Sequence, residues 1–427
     1  MAKRDIVVVA GLRSPLAKMG GELSKVSAVD LASLVIAELL AQQSFPVEQL
    51  DHVIMGNVIQ PADAPNIARV IALTSHIPQH IPAYTVHRNC ASGMQAVTDA
   101  AQMIQAGKAD VVLAGGVESM SHAPFLLHDK LRLALSDLQK ARHIQGKIKA
   151  LLKIVQAPWQ PRIALMEGLT DPTVSMNMGQ TAELLSREYD ISRQQQDEFS
   201  LQSHQRAAAA WQSGWYEQEV MTLYAAPQFK GITGDQGIRA EQSMQALAKL
   251  SPAFDRPLGT VTAGNSSQLT DGATILLLSH KGKAEAEGWD ILGYVHDWAW
   301  SGCDPKRMGL GPAYASEKLL LHHSLSMQDM DRVEINEAFA AQVLATLKVL
   351  EQSQVGAPDM SRLNIKGGAI AMGHPVGMTG ARLILSTLRQ LQEEQQNDLQ
   401  SGLGLASLCI GGGQGGAVLL GVEPCQH

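Results

Sequence analysis

Residues 88–116 read RNCASGMQAVTDAAQMIQAGKADVVLAGG, and this stretch decides the fold class. Met94, Val97, Ala101 and Ile104 recur at spacings of three, four and three, which marks one buried face of a helix. Gly107 offers a helix stop, and Asp110 then leads into the short apolar strand VVLA and Gly115-Gly116. Cys90 stands at the start of the helix, where unpaired backbone N–H groups and the macrodipole favour a thiolate. A free thiol is only a few per cent ionised at pH 7, so such a setting marks Cys90 as a candidate nucleophile. The alternative is an inert core cysteine.

Working outward, short apolar strands alternate with helical patterns: IVVVA, a helix from Val29 to Leu40, HVIMGNVI, the Cys90 helix, then VVLAGG. That alternation predicts an α/β fold with a largely parallel sheet. The C-terminal third adds the strands ILGYVHDWA, RVEIN, GLGLASLCI and GAVLLGVE. It also echoes the first unit. After His374, Ala381, Ile384, Leu388 and Leu391 repeat the three, four, three spacing, followed by a strand and the glycine run Gly411 to Gly413. Two similar halves would set Cys90 and His374 at equivalent helix starts, each half closing on a strand and a glycine turn.

At 427 residues the chain is long enough for two or three domains around a large core. An apolar fraction of 45% with 18% charged residues belongs to an ordinary soluble globular protein. The net charge of −7 argues against a general nucleic-acid footprint. The opening MAKRDIVVVAGLRSP holds too short an apolar run for a signal peptide or membrane span. Cys90, Cys303, Cys409 and Cys425 are too widely spaced for a disulfide frame or a zinc site, so a reduced, cytoplasmic protein is expected.

Between Phe125 and Arg162 the chain changes character. Eight Lys or Arg residues stand against Asp129 and Asp137, a local excess of +6 in an acidic protein. Leu131, Leu135 and Leu138, then Ile144, Ile148, Leu151 and Val155, form apolar stripes at helical spacing. A basic amphipathic insertion of this kind docks on a membrane surface or a partner, or is a solvated helix whose lysines face water.

Three C-terminal motifs join Cys90. Asn336 in EINEAFAAQ ends a strand before a helix striped by Phe339, Val343, Leu347 and Leu350; its amide could hold a water or a carbonyl, or cap the helix. GGAIAMGHPVGMTGAR displays His374 between Gly373 and Pro375, a setting that suits a general base. SLCIGGGQGG puts Cys409 at a strand end beside a glycine turn with exposed amides. Gly411, Gly413 and Gly416 also match G-x-G-x-x-G, but a dinucleotide site needs a following helix and second strand, and the chain is too short for them.

With these residues in place, the chain resembles the thiolases over nearly its full length. NCASGMQAV, VTAGNSSQLTDGA, INEAFAAQ, GGAIAMGHPVGMTGAR and CIGGGQGG stand in that family's order and spacing. The resemblance implies a five-layered α/β/α/β/α fold built from two similar halves with an inserted loop domain. Its domains would be a core at residues 1–124, the loop domain at 125–249, a return to the core at 250–285 and a second core at 286–427. It also implies thiolytic cleavage of a 3-ketoacyl-CoA by CoA, with Cys90 carrying the acyl group, His374 as base and Cys409 as the second acid/base. Oxyanion donors would be His374 with an Asn336-held water, and the amides of Cys90 and Gly411. The implied substrate contacts are Arg239, Ser267, Met178, Ala263, Gly264 and Phe339.

No metal or bound cofactor is implied, CoA being a substrate. The implied assembly is a homodimer or dimer of dimers, with the basic insertion reaching a hydratase/dehydrogenase α-subunit or a membrane surface. Two departures bear on the subclass. Many biosynthetic relatives carry His where Asn177 stands, and β-subunits with a similar insertion commonly carry His in place of Asn336. The alternatives are an acetoacetyl-CoA thiolase, a non-catalytic acyl-CoA-binding protein, and a decarboxylating ketoacyl synthase, which typically uses two histidines where this chain offers Cys409.

Overall fold

The computed structural model describes residues 4–226, 229–395 and 402–424, so Cys425 lies outside the described residues. Its principal strands are β1 (Ile6–Arg13), β2 (His52–Gly56), β3 (Ala83–Val86), β4 (Val111–Ser119), β5 (Thr270–His280), β6 (Gly293–Gly302), β7 (Arg332–Ile335), β8 (Leu403–Ile410) and β9 (Gln414–Gly421). The principal helices are α1 (Ala28–Gln42), α2 (Ile67–Thr74), α3 (Ser92–Gln105), α4 (Asp129–Lys140), α5 (Ile144–Gln156), α6 (Met178–Glu188), α7 (Arg193–Gln212), α8 (Gly311–His322), α9 (Ala340–Glu351) and α10 (Thr379–Gln395).

Side-chain alternation along the strands builds the layers. In β1, Val7 and Val9 face a core shared with α1 and α2, while Ile6 and Val8 face a second core around α3 and α10. In β9, Val418 and Leu420 face that same central core, while Ala417 and Leu419 face a third one beneath α8 and α9. Helices, sheet, helices, sheet and helices therefore stack in five layers, since each strand has both faces covered. The helical stripes read from sequence are the seams of the central layer. Met94, Val97, Ala101 and Ile104 of α3, and Ala381, Ile384, Leu388 and Leu391 of α10, are all fully buried.

The sheet is mixed, which corrects the expectation of a largely parallel one. Its order is β7-β8-β9-β6-β1-β5-β4-β2-β3, and only β7–β8, β2–β3 and β2–β4 are parallel. The cause is the chain's path. After leaving at Ser119 it returns at Thr270 and inserts β5 antiparallel between β1 and β4. Within the sheet, β1 and β6 pair through three residue pairs, Ile6 to Val8 against Val295 to Gly293.

Gly115 and Gly116 form no turn, against the sequence reading; they continue β4. A Cβ on Gly116 would stand 2.1 Å from the Gly377 carbonyl oxygen, so the bare backbone admits the loop after His374. The starts of α3 and α10 meet just as closely, a Cβ on Gly380 falling 2.6 Å from Met94 Cβ. These contacts bring the N-terminal ends of both central helices to one place, the reactive centre.

The insertion folds into the hairpin α4–α5, which packs on itself through Leu131, Ala134, Leu138, Ile154 and Ala157. The rest of its apolar stripe faces solvent: Leu135, Ile144, Ile148, Leu151 and Val155 are exposed, with Val155 75% accessible and Ile144 71%. Among the described residues no helix is long and apolar enough to cross a membrane.

Candidate active site

Cys90 lies in a tight turn between β3 and α3. Asn89 is left-handed (φ 44°), and the Ser92 hydroxyl accepts from Arg88 N and donates to Asn89 O. The helix N-cap is Ala91, so Cys90 sits one residue further out than the sequence reading placed it, and its thiol caps nothing. The expected thiolate is corrected as well. Burial lifts the Cys90 thiol above its ordinary range and nearby Glu118 adds to this, while the N–H groups of Gly411 and of Cys90 itself pull the other way. Those two amides converge on the sulfur, which puts two backbone donors beside the place where a group bound to it would sit.

The glycine turn supplying Gly411 closes the β8–β9 hairpin, with Gly412 and Gly413 both at positive φ. Asn89 Nδ2 donates to Gly411 O at 2.8 Å, clamping the turn of one half onto the turn of the other. Cys409 is the penultimate residue of β8 and is buried among Ala182, Val261, Phe339, Met178 and Phe254. Burial holds its thiol well above the ordinary range, and the neighbouring Cys90 adds to the effect. At neutral pH the Cys409 thiol therefore keeps its proton.

His374 is buried on the loop between the short helix Ala369–Met372 and α10. Its Nδ1 lies 2.8 Å from Thr379 Oγ1, and the Thr379 hydroxyl donates to Pro375 O at 2.9 Å. The hydroxyl proton being committed, Thr379 accepts from Nδ1–H, which leaves Nε2 unprotonated. Asn336 Nδ2 lies 3.5 Å from that Nε2. Burial, helped by Arg382, pushes the imidazole down to about 3. The ring is a neutral base, and neither of its hydrogen bonds goes to Cys90.

The helix following Asn336 is capped by Phe339, so Asn336 is no cap. Its side chain is fully buried, and among the described residues Oδ1 has no partner. An orphan acceptor beside a base fits a held water or a substrate group, because leaving it empty costs about 1–3 kcal/mol.

Cys90, Met178, Gly411 and Gly412 open into one cavity of about 530 Å³. Its other walls include Val58 and Ile59 after β2, Met120, Val376, and Leu165, Leu169 and Pro172 of the loop region. The size and apolar lining suit an acyl chain. The remaining implied substrate contacts stand elsewhere. Phe339 packs edge-on against Phe254 beside Cys409, and Ser267 N donates to Ala338 O. Gly264 is buried under Leu247 and Leu250, and Ala263 is exposed. Arg239 is exposed, its amide held by His204 Nδ1 at 3.2 Å. None of these five lines the cavity. Asn177, the subclass marker, is spent locally: it forms a capping box with Gln180 at the start of α6.

Sequence reasoning passed over Thr379, Asn89, Glu118 and the loop-region wall of Leu165, Leu169 and Pro172. Thr379 stood in the quoted glycine-rich block, five residues past the base. The loop-region wall carries no motif at all.

The thiolase N-terminal domain matches residues 6–282 and the thiolase C-terminal domain residues 289–422, so the chain belongs to the thiolase family. It is 41% identical over 430 aligned residues to a 3-ketoacyl-CoA thiolase of Yersinia pestis (strain Pestoides F), covering 98% of this chain and 97% of that one. A crystal structure of the Bacillus anthracis acetyl-CoA acetyltransferase superposes with TM-score 0.87 at 37% identity, covering 99% of this chain and all of the other. Human mitochondrial 3-ketoacyl-CoA thiolase in complex with CoA gives TM-score 0.87 at 34% identity, with 98% of each chain covered.

Proposed function

We propose that the protein cleaves 3-ketoacyl-CoA with CoA, yielding acetyl-CoA and a shortened acyl-CoA, as a degradative thiolase. The observation that carries this is the apolar cavity opening at Cys90 beside the Gly411 amide. The Cys90 thiol passes its proton to His374 Nε2 as sulfur attacks the ketone carbon. The oxyanion collapses with cleavage of the C2–C3 bond, leaving the acyl thioester on Cys90 and the enolate of acetyl-CoA. Cys409 protonates that carbon and acetyl-CoA leaves. The proton on His374 passes to the Cys409 thiolate; CoA then gives its thiol proton to His374 and attacks the thioester, and that proton returns to the departing Cys90 sulfur. His374 with a water on Asn336 would serve one oxyanion, and the amides of Cys90 and Gly411 the other. Arg239 would face a CoA phosphate, with Ser267, Ala263, Gly264, Met178 and Phe339 along the rest of the CoA arm.

The chemistry needs no metal or bound cofactor. The same reading carries a cytoplasmic location and a homodimer or dimer of dimers, which sedimentation checks directly. The biosynthetic alternative, acetoacetyl-CoA condensation, draws on the Bacillus neighbour; the cavity and the higher identity to the Yersinia relative favour degradation. Thiolysis measured from four-carbon to sixteen-carbon substrates decides between them. Turnover should persist well beyond four carbons, and Leu169→Trp should shift the optimum to shorter chains. Activity confined to the four-carbon substrate would sink the degradative reading.

The α4–α5 hairpin, with its lysines beside exposed Ile144, Ile148, Leu151 and Val155, fits docking on an anionic membrane surface. Deleting residues 131–155 should abolish co-sedimentation with phosphatidylglycerol vesicles and leave thiolysis within about twofold. Retained vesicle binding refutes this docking site. Loss of binding to a hydratase/dehydrogenase α-subunit, with vesicle binding intact, transfers the face to that partner.

A further inference from the structure

Glu118 is fully buried in β4, near enough to Cys90 for its charge to act on that thiol, and it has no role in the chemistry just described. Its carboxylate accepts four hydrogen bonds. Oε1 takes Ile59 N at 2.9 Å and Asn57 Nδ2 at 3.1 Å. Oε2 takes Gly377 N at 2.9 Å and Val58 N at 3.1 Å. All four are accepted and none donated, a pattern the anionic carboxylate satisfies and the protonated acid does not. Among the described residues no cation partners it, and burial pushes the group up to about 7 against the pull of those N–H donors. A buried charge held this way is costly, so what it joins matters.

What it joins are two walls of the cavity. Val58 and Ile59 line the cavity directly. Gly377 follows Val376, another lining residue, and lies three positions after His374. A Cβ on Gly377 would stand 2.6 Å from Glu118 Oε2, so the loop reaches the carboxylate only as bare backbone. The other side of the His374 loop is fixed separately, by Glu337 accepting from Ile370 N and Ser203 Oγ.

We propose that Glu118 is a positioning residue: by tying the amides of Val58 and Ile59 to that of Gly377, it makes acyl-chain packing in the cavity set the placement of His374. The inference rests on the thiolase reading above. An acyl chain pressing on Val58, Ile59 and Val376 meets a single braced wall, and the brace carries its position to the imidazole. Short chains, which leave the wall uncontacted, draw little from the brace.

The test is Glu118→Gln in the full-length protein, with kcat and KM measured separately on four-carbon and ten-carbon 3-ketoacyl-CoA. The amide nitrogen of Gln turns donors toward donors and breaks one side of the brace. On the ten-carbon substrate kcat should fall about 10–100-fold, the range that misplacing a catalytic group by about 1 Å produces. KM should move less than about threefold, and kcat on the four-carbon substrate should fall several-fold less than on the long one. Equal kcat losses on both substrates, or an unchanged kcat with only a lowered Tm, reduce Glu118 to a structural brace and overturn the proposal. If Glu118→Gln fails to fold, Asn57→Ala, which strips one donor from Oε1, should give the same chain-length-dependent loss at about 3–10-fold. A uniform loss or none there overturns it equally. A wild-type protein inactive on every 3-ketoacyl-CoA would instead refute the thiolase reading.

Discussion

Cys90→Ala protein is expected to lose thiolysis by about 10⁴-fold or more while folding normally, a loss of at least roughly 5 kcal/mol of transition-state stabilisation. The side chain is small and half-buried, so its removal leaves no large void in the core. What disappears is the thiol that opens into the cavity beside the Gly411 amide. Cys90→Ser should fare little better. A hydroxyl is a far weaker acid than a thiol, and a neutral imidazole held down to about 3 is a weak base for it. The informative comparison is with Cys409→Ala. That protein should still become acylated when mixed with acyl-CoA, because transfer between CoA and Cys90 needs no proton on carbon. It should fail at carbon–carbon cleavage. Intact-protein mass spectrometry after mixing with acetyl-CoA reads the difference: an acetyl adduct on Cys409→Ala and none on Cys90→Ala. An adduct on both would move the acyl carrier away from Cys90.

The central layer of this fold was legible in the sequence because two helices each present a full apolar face to neighbours on every side. Burial of Met94 to Ile104 and of Ala381 to Leu391 wrote the three, four, three spacing into the chain. Strand direction was not legible. It depends on where the chain returns after about 150 residues of excursion, and nothing local in Thr270–His280 encodes an insertion between β1 and β4. The reactive residues were legible as types in glycine-rich settings, but their ionisation was not. A helix start argues for a thiolate at Cys90, and only the assembled structure shows burial prevailing over the two amides that favour it. Asn336 was likewise open between cap and ligand until Phe339 proved to be the cap. The insertion's stripes were read correctly as amphipathic. That most of the stripe faces solvent could not be read, since periodicity reports an apolar face and not what covers it.

The burial of both reacting groups leads to the second large effect, at His374. With the thiol raised and the imidazole lowered to about 3, the resting pair is neutral, and a thiolate forms only as sulfur attacks. His374→Ala should therefore lower kcat by about 10²–10⁴-fold, the usual reach of a general base. It should leave the intrinsic reactivity of Cys90 nearly untouched. Alkylation by iodoacetamide, followed from pH 5 to 10, separates the two. In wild type and His374→Ala alike, the rate should climb only toward the alkaline end, because no imidazolium stands ready to stabilise a thiolate. A plateau near pH 6 to 7 that vanishes in His374→Ala would reveal a resting ion pair and overturn this mechanism. Thr379→Val tests the tautomer: without an acceptor for Nδ1–H, the ring loses its orientation, and kcat should fall about tenfold or more. Stability follows the same protonation logic. His374 is held below its unfolded value of about 6.5, so as pH falls through that value the unfolded chain takes up a proton that the folded imidazole refuses. The contribution of this residue to stability is complete above about pH 6.5 and drains away toward pH 3. His374→Ala should thus narrow the drop in Tm between pH 7 and pH 5, and an unaltered drop would place the buried ring's proton elsewhere.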